Sequence, residues 1–467
     1  MVVDADRFRL SAMMFGQYLI LGSWAVTLAT YLMSPPTRGG LNFPPADTGL
    51  IYSTMALAGL IAPIFLGLLA DRLFAAEKLM AVLHFIGAIL IGLAGWWCLA
   101  QQPKIEVAYR AAAATEFVEG IPVLEMEGRL ALLAASALPE NRKQVRESLQ
   151  RVNRAPELER LTHETFWPLF LLMLGYSFCN VTWLTLGSVI AFRNLHNPQR
   201  SFGRIRLYGT VGWIVAGVQL EFFWNTISPA ALFLSAGLSI AFGLYALTLP
   251  YTPPTGRSKS LADALGLPAL SIFRDGSIRV LIACSLGMAA VQQFYGVYTN
   301  RFLTELQIPY PAAVQTIAQV SEVICMMLFP FVLDRFGLKA TMALGLLGWI
   351  LRNGVFATES MPAVVIVGLP LHGMSYAFFF ILASMYVDRK APPHLRASAQ
   401  GIFMFVSTGM GTLLGNWFSA RVVQAQTVGD VVNWSNVWLV PTVLSMVFLL
   451  AYLAFFHETN EEASRVV

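Results

Sequence analysis

Apolar runs of about 20 residues recur along the whole chain, separated mostly by short polar loops. They lie at roughly 11–33, 48–70, 79–100, 166–192, 205–224 and 228–250, and then at roughly 277–300, 311–333, 338–357, 361–387, 397–420 and 434–456. A helix rising 1.5 Å per residue needs about that length to cross roughly 30 Å of hydrocarbon. The pattern predicts an all-α integral membrane protein of about twelve transmembrane helices in two bundles of six. The first run, within MVVDADRFRLSAMMFGQYLILGSWAV, is too long for a signal-peptide core and lacks a small-residue cleavage site, so it is read as a span.

Two stretches break the rhythm. Tyr251 to Ser277 is rich in Pro, Gly and Ser, and its SLADALGLPALSIF section has the pattern of a surface-lying amphipathic helix. Residues 1–250 are therefore read as one bundle, 251–276 as a cytoplasmic linker and 277–467 as the second bundle. The other break, residues 101–165, separates the third and fourth runs. Its nine Lys and Arg nearly balance its ten Glu, and RLALLAASALPENRKQVRESLQRV has helical periodicity, which predicts a small helical cap. It reads either as a lineage-specific insertion or as a gate or partner-binding lid. A weak repeat supports the division into halves: PIFLGLLADRLFAAEKLM and PFVLDRFGLKATM both place Asp-Arg after an apolar helix and a Lys soon beyond.

Composition removes the soluble alternatives. The 467 residues are 56% hydrophobic and 12% charged, whereas a soluble domain averages about 25% charged. The net charge of +4 comes from basic residues in short loops, not from a solvated basic domain, so the expected surroundings are the lipid bilayer and not nucleic acid. Arg7, Arg9, Arg72, Lys78, Arg193, Arg200, Arg204, Arg257, Lys259, Arg335, Lys339, Arg389, Lys390 and Arg396 fall on alternate loops. The positive-inside rule then puts both termini in the cytoplasm and the chain in the cell (inner) membrane, with residues 101–165 extracytoplasmic. Cys98, Cys179, Cys284 and Cys325 lie in apolar runs without metal-like spacing and read as small core residues.

Polar residues inside the runs carry the chemistry. Glu322 stands near the middle of PAAVQTIAQVSEVICMMLFPFVL with Gln319 three residues before it on the same helical face. A carboxylate at that depth costs at least about 2.5 kcal/mol on insertion scales and persists mainly at a bundle interior or a water-filled cavity. A solute or proton pathway follows. In the fifth run Arg206, Thr210 and Trp213 share a face, a set suited to a polar aromatic ligand, although Arg206 near the helix end also fits a positive-inside anchor. In the seventh, Gln293, Gly296 and Asn300 share a face. Their amides suit either a neutral solute or bonds between helices. In the tenth, His372 and Tyr376 are one turn apart; the imidazole suits a hydrogen bond to substrate, a shared proton or a structural role.

Other features point nowhere further. Gly409, Gly411 and Gly415 have no preceding strand and are read as helix-packing glycines. Arg352 fits snorkelling or an internal pair, and Asp71 and Asp334 fit loop ion pairs. The six histidines are scattered, with no converging nucleophile, base or metal ligands. No enzyme, catalytic residue, metal site or cofactor is expected.

FGQYLILGSWAVTLATYLM, RIRLYGTVGW, SEVICMMLFPFVLDRFGLK and LRASAQGIFMF together resemble the nucleoside:proton symporter family of the major facilitator superfamily, with IRLYGTVGW and RASAQG the most specific pieces. The resemblance implies two pseudo-symmetric halves around a central cavity, alternating access, and uptake of nucleosides with protons. It implies substrate-binding roles for Arg206, Thr210, Trp213, Gln319, Glu322, His372 and Tyr376, and for Gln293 with a one-residue ambiguity against Gln292. Glu322 would couple the proton. One departure is Ala377, where the family commonly has Asp; another is Gly296, which replaces an amide of some relatives. Loss of the tenth-helix acid keeps two alternatives open: an uncoupled nucleoside facilitator or exchanger, and a transporter-like nucleoside receptor.

Overall fold

A backbone that leaves water must satisfy its own hydrogen bonds, and outside two hairpins with two-residue strands the regular structure is helical. The structure is a computed structural model that describes residues 2–65, 74–118, 120–126, 147–196, 198–254, 267–358, 362–428 and 431–457. The first span is Val2–Ala25 continued by Leu28–Met33, and the second is Pro45–Phe65. The third to sixth are Ala76–Ala114, Pro156–Asn194, Pro198–Phe223 and Ala230–Ala246. The seventh is Gly276–Glu305, the eighth and ninth share Pro311–Ala357, and the tenth lies in Pro362–Lys390. The eleventh runs through Arg396–Met404, Phe405–Gly411 and Thr412–Gln426, and the twelfth is Trp434–Phe455.

Seven described helices are long and apolar enough to cross a membrane by length and composition, and one of them, Pro311–Ala357, is two spans. The break is Gly337, whose φ of 75° and ψ of 173° leave the helical region at no Cβ cost. Contacts on either side show the reversal. Ser321 Oγ accepts from the Gly373 amide at 3.1 Å, while Arg352 reaches the neighbouring His372 at 2.7 Å. On a straight helix Ser321 and Arg352 would stand about 46 Å apart. The remaining spans fall short of that length and composition for local reasons: the second runs into undescribed residues, the fifth carries Arg204 and Arg206, the sixth has 17 residues, and the eleventh is diluted by Gly, Ser, Thr and Asn.

The third and fourth spans are each 39 residues long, about 58 Å as helix, nearly twice the hydrocarbon thickness. Their shared end carries the 101–165 segment. A hairpin pairs Phe117–Val118 with Ile121–Pro122, Arg151 pairs with Glu116 at 2.8 Å, and Asn42 donates to Asn153 at 3.1 Å, tying the segment to the loop after the first span. Most of RLALLAASALPENRKQVRESLQRV lies outside the described residues, as do Asp71, Arg72 and the rest of 66–73 in the first copy of the repeat. Of SLADALGLPALSIF, only 267–273 is described, as part of a short 3-10 helix Leu267–Arg274 with Ile272 buried.

The two halves meet at the end that carries this segment. Thr30 donates to Asn300 at 2.6 Å, Arg301 to Ser34 at 2.7 Å, Tyr298 to the Pro45 carbonyl at 3.3 Å, and the Ala312 amide to Glu221 at 2.6 Å. Phe222 stacks on Tyr310 at 5.1 Å across the same seam. One apolar core runs through both halves there, including Leu32 and Tyr31 of the first half with Phe302 and Trp438 of the second. A separate core, from Ile272 to Phe456, belongs to the second half alone. At the opposite end each half closes on itself: Glu77 accepts from the Thr252 amide at 3.0 Å, and Lys390 pairs with Asp275 at 3.1 Å.

Candidate functional site

Glu322 owes its position to glycine. Gly373 of the tenth span packs so closely on the eighth that a Cβ there would overlap the backbone of Ser321 and Glu322. Ser321 fixes the contact, donating to the Ala318 carbonyl at 2.7 Å while accepting from the Gly373 amide. The next turn of the tenth span, Tyr376–Ile381, is a π turn, a form that often accompanies functional sites. Tyr376 is 37% exposed at its start, whereas Ala377 beside it is fully buried.

Charge crosses between the halves at this point. Glu322 of the eighth span is within electrostatic range of Arg206 of the fifth, and Tyr376 senses Glu322, Arg206 and Tyr18 together. The guanidinium carbon of Arg206 lies 4.0 Å from the centre of the Tyr18 ring, a cation–π arrangement. Gly209 leaves room for Tyr18 and for the arginine. Arg206 therefore belongs to the interior face rather than serving as an anchor in the loop. Thr210, half-buried, follows one turn later, and Trp213 packs where Gly22 of the first span admits it.

A second cluster lies behind the tenth span. Arg352 is fully buried, with one guanidinium nitrogen 2.7 Å from His372 Nδ1 and two others 3.3 Å from Asn353 Oδ1. Its guanidinium carbon stands 4.3 Å from the centre of the Tyr295 ring, on which the imidazole also stacks at 4.6 Å. Tyr376 lies 6.2 Å from His372 with its ring nearly parallel. Arg352 is thus paired internally rather than snorkelling.

The amides divide. Gln319 Oε1 is buried without a hydrogen-bond partner among the described residues, one turn from Glu322. Gln293 is half-buried and turns toward the eleventh span, donating to the Ala289 carbonyl at 3.1 Å and lying 3.5 Å from Thr412. Its neighbour Gln292 accepts from Trp349 at 3.0 Å and so braces the ninth span, which leaves Gln293 as the amide beside exposed Gly296. Asn300 is buried in the seam with Thr30, where it joins the halves instead of lining the site. Gly411 and Gly415 seat the eleventh span on the seventh near Leu286 and Ala290.

The structure places Glu322, Arg206 and Tyr376 within electrostatic range of one another, with His372 beside Tyr376 and stacked on Tyr295, and Gln319 on the adjoining turn. Residue patterns within single runs miss Tyr18 and Tyr295. Tyr18 and Gly22 share a face of the first span, the signal that could have flagged the tyrosine.

Comparison with known proteins follows the same lines. A family model described as nucleoside H+ symporter matches residues 5–103 and 160–461, passing over 104–159, the bulk of the projecting segment. The protein YegT of Escherichia coli (strain K12) is 31% identical, covering 98% of this chain and 95% of its own. The xanthosine permease of the same organism is 28% identical over 98% and 97%. The crystal structure of the nucleoside transporter NupG superposes with a TM-score of 0.74 at 25% identity over 97% of this chain and 99% of that one.

Proposed function

The chain belongs to the nucleoside H+ symporter family, and from that premise we propose that it carries nucleosides across the membrane together with protons, by alternating access of its two halves. It is a multi-pass membrane protein with a major facilitator fold. We take residues 1–250 and 277–467 as the moving units and 251–276 as the link between them.

The observation that carries the reading is that Glu322 and Tyr376 of one half lie within electrostatic range of Arg206 of the other. A solute bound there touches both units, so its binding can be coupled to their relative motion. Glu322 and Gln319 supply acceptors for ribose hydroxyls, Gln293 and Thr210 supply further polar contacts, and Tyr376 or Trp213 packs against the base. His372 lies beside Tyr376 as a further hydrogen-bonding group. Protonation of Glu322 removes the charge that makes reorientation costly at membrane depth. One proton moving down 100 mV releases about 2.3 kcal/mol, equivalent to roughly fortyfold accumulation at about 1.4 kcal/mol per decade.

The basic loops favour cytoplasmic termini in the inner membrane. With that orientation the joined seam is extracytoplasmic and the end where each half closes on itself faces the cytoplasm. Buried Ala377 at the π turn favours a second reading, an uncoupled facilitator. Uptake of labelled uridine into proteoliposomes, with and without an inward proton gradient and a protonophore, separates them. Accumulation that collapses with the protonophore is expected; equilibrating uptake indifferent to the gradient would leave the facilitator, and binding without uptake a receptor.

A further inference from the structure

Arginine offers five N–H donors, no acceptor, and a proton that proteins do not remove. The 2.7 Å contact between Arg352 and His372 Nδ1 therefore has one sense: the guanidinium donates and Nδ1 accepts. An acceptor Nδ1 carries no proton, so the neutral ring holds its hydrogen on Nε2. An imidazolium would set N–H against N–H and place two cations in contact. Every neighbour keeps this arrangement in place. Asn353 Oδ1 holds two other nitrogens of the guanidinium, Tyr295 has the guanidinium carbon over its ring and the imidazole stacked on it, and Arg352 has no solvent exposure. The titratable and charged groups around the ring are Arg352 of the ninth span, Tyr295 of the seventh and Tyr376 of the tenth, with Glu322 of the eighth beyond the two tyrosines and Arg206 and Tyr18 beyond Tyr376.

We propose that Arg352 is a positioning residue that fixes His372 as a permanently neutral Nε2–H donor, and that this donor selects for a hydrogen-bond acceptor on the base of the carried nucleoside. Tyr376, 37% exposed, lies 6.2 Å from the imidazole with its ring nearly parallel, so a base stacked on Tyr376 comes to lie beside the imidazole. This rests on the nucleoside reading above. His372 then reads the solute and takes no proton from it, and proton transfer stays with Glu322.

Two measurements test the proposal. Nitrogen-15 NMR of histidine-labelled protein in lipid nanodiscs, with His372→Gln to identify the signal among the six histidines, should show a neutral Nε2–H ring from pH 5 to pH 8. An imidazolium or an Nδ1–H tautomer in that range overturns the proposal. In uptake assays Arg352→Met should raise KM for uridine about five- to tenfold, the value of one hydrogen bond, with Vmax near wild type. The variant's KM should also become pH-dependent between about pH 5 and 8, where a freed histidine titrates. Replacing His372 by Gln in that background, which keeps a donor but cannot titrate, should abolish the new pH dependence. An unchanged KM and pH profile in Arg352→Met overturns the role of the arginine. If that variant fails to fold, the NMR tautomer decides alone. Absence of nucleoside uptake by the wild type would instead sink the nucleoside reading, and the tautomer measurement would still judge Arg352.

Discussion

Gly373 and Glu322 meet backbone to backbone, and the missing side chain of the one sets the depth and direction of the other. Gly373→Ala would put a methyl group into the main chain at Ser321 and Glu322, where no flexible side chain can yield. The eighth span must shift away and take the carboxylate with it. Uptake should fall at least about tenfold, since a displacement near 1 Å in a binding constellation can cost about a hundredfold. Initial uptake rates alongside the melting temperature check this; full activity in a stable Gly373→Ala protein would refute the positional argument.

Glu322→Gln keeps shape and hydrogen-bonding capacity while removing the titration. A proton-coupled carrier should then lose accumulation against a gradient and retain exchange of internal for external nucleoside. Counterflow and gradient-driven uptake measured on the same proteoliposomes separate the two activities. Equal loss of both would make Glu322 a binding group without a coupling role.

Arg206→Lys tests the charge that crosses the halves. Lysine keeps the positive charge facing Glu322 but is a compact, strongly hydrated point charge in place of the guanidinium, whose carbon sits 4.0 Å over the Tyr18 ring. Loss of the cation–π contact, about 0.5–2 kcal/mol, should raise KM roughly two- to thirtyfold. Uridine KM in Arg206→Lys and Tyr18→Leu checks it, and the double variant should be no worse than the poorer single one if the pair acts as a unit.

The spans and the intramembrane acid were legible because membrane burial imposes long apolar runs and makes each intramembrane charge conspicuous. The grouping of Arg206 with Glu322 was half legible: helical periodicity put each on a face, but only packing brings the fifth and eighth spans together. Arg352 and Asn300 illustrate the limit. Both are polar residues in apolar runs, yet one braces His372 and the other joins Thr30, and a single-helix pattern does not encode which neighbour an inward face meets. Tyr18 and Tyr295 stayed hidden because an aromatic in an apolar run carries no polarity signal until a cation is found over its ring.

Asp275 makes stability depend on acid. It caps the seventh span outside the membrane, accepting from the Ser277 amide at 2.8 Å and the Ile278 amide at 3.2 Å, and pairs with Lys390. Partial burial raises its pKa, but the Ile278 amide, Lys390 and the Ser277 amide together outweigh it and hold the carboxyl below the usual range. A depressed native value means stability that is present above the unfolded pKa of about 3.9 and lost as pH falls through the native one. Asp275→Ala should cost about 1 kcal/mol at pH 7, as removal of a helix N-cap does. Melting temperatures of the two proteins should converge as pH drops below about 4; a gap that persists there would show that the effect is not the carboxylate's charge.

The seam at the projecting end must part for the cavity to open on that side, so its bonds set the balance between states. Glu221 is the member to test, because its carboxylate accepts from the Ala312 amide at the start of the eighth span, where the helix dipole also favours negative charge. Glu221→Ala removes a charge-assisted bond of about 1.5–3 kcal/mol and leaves the Ala312 amide free to bind water once the seam opens. The equilibrium should move toward the state open at that end by about tenfold or more. Spin labels placed on the outer ends of the first and seventh spans, read by pulsed dipolar spectroscopy, should show a longer distance population in the variant. Thr30→Val, which strips the hydroxyl from the Asn300 bond, should push the same way. If neither substitution lengthens that distance, these bonds hold the helices within the seam without governing which side of the carrier is open.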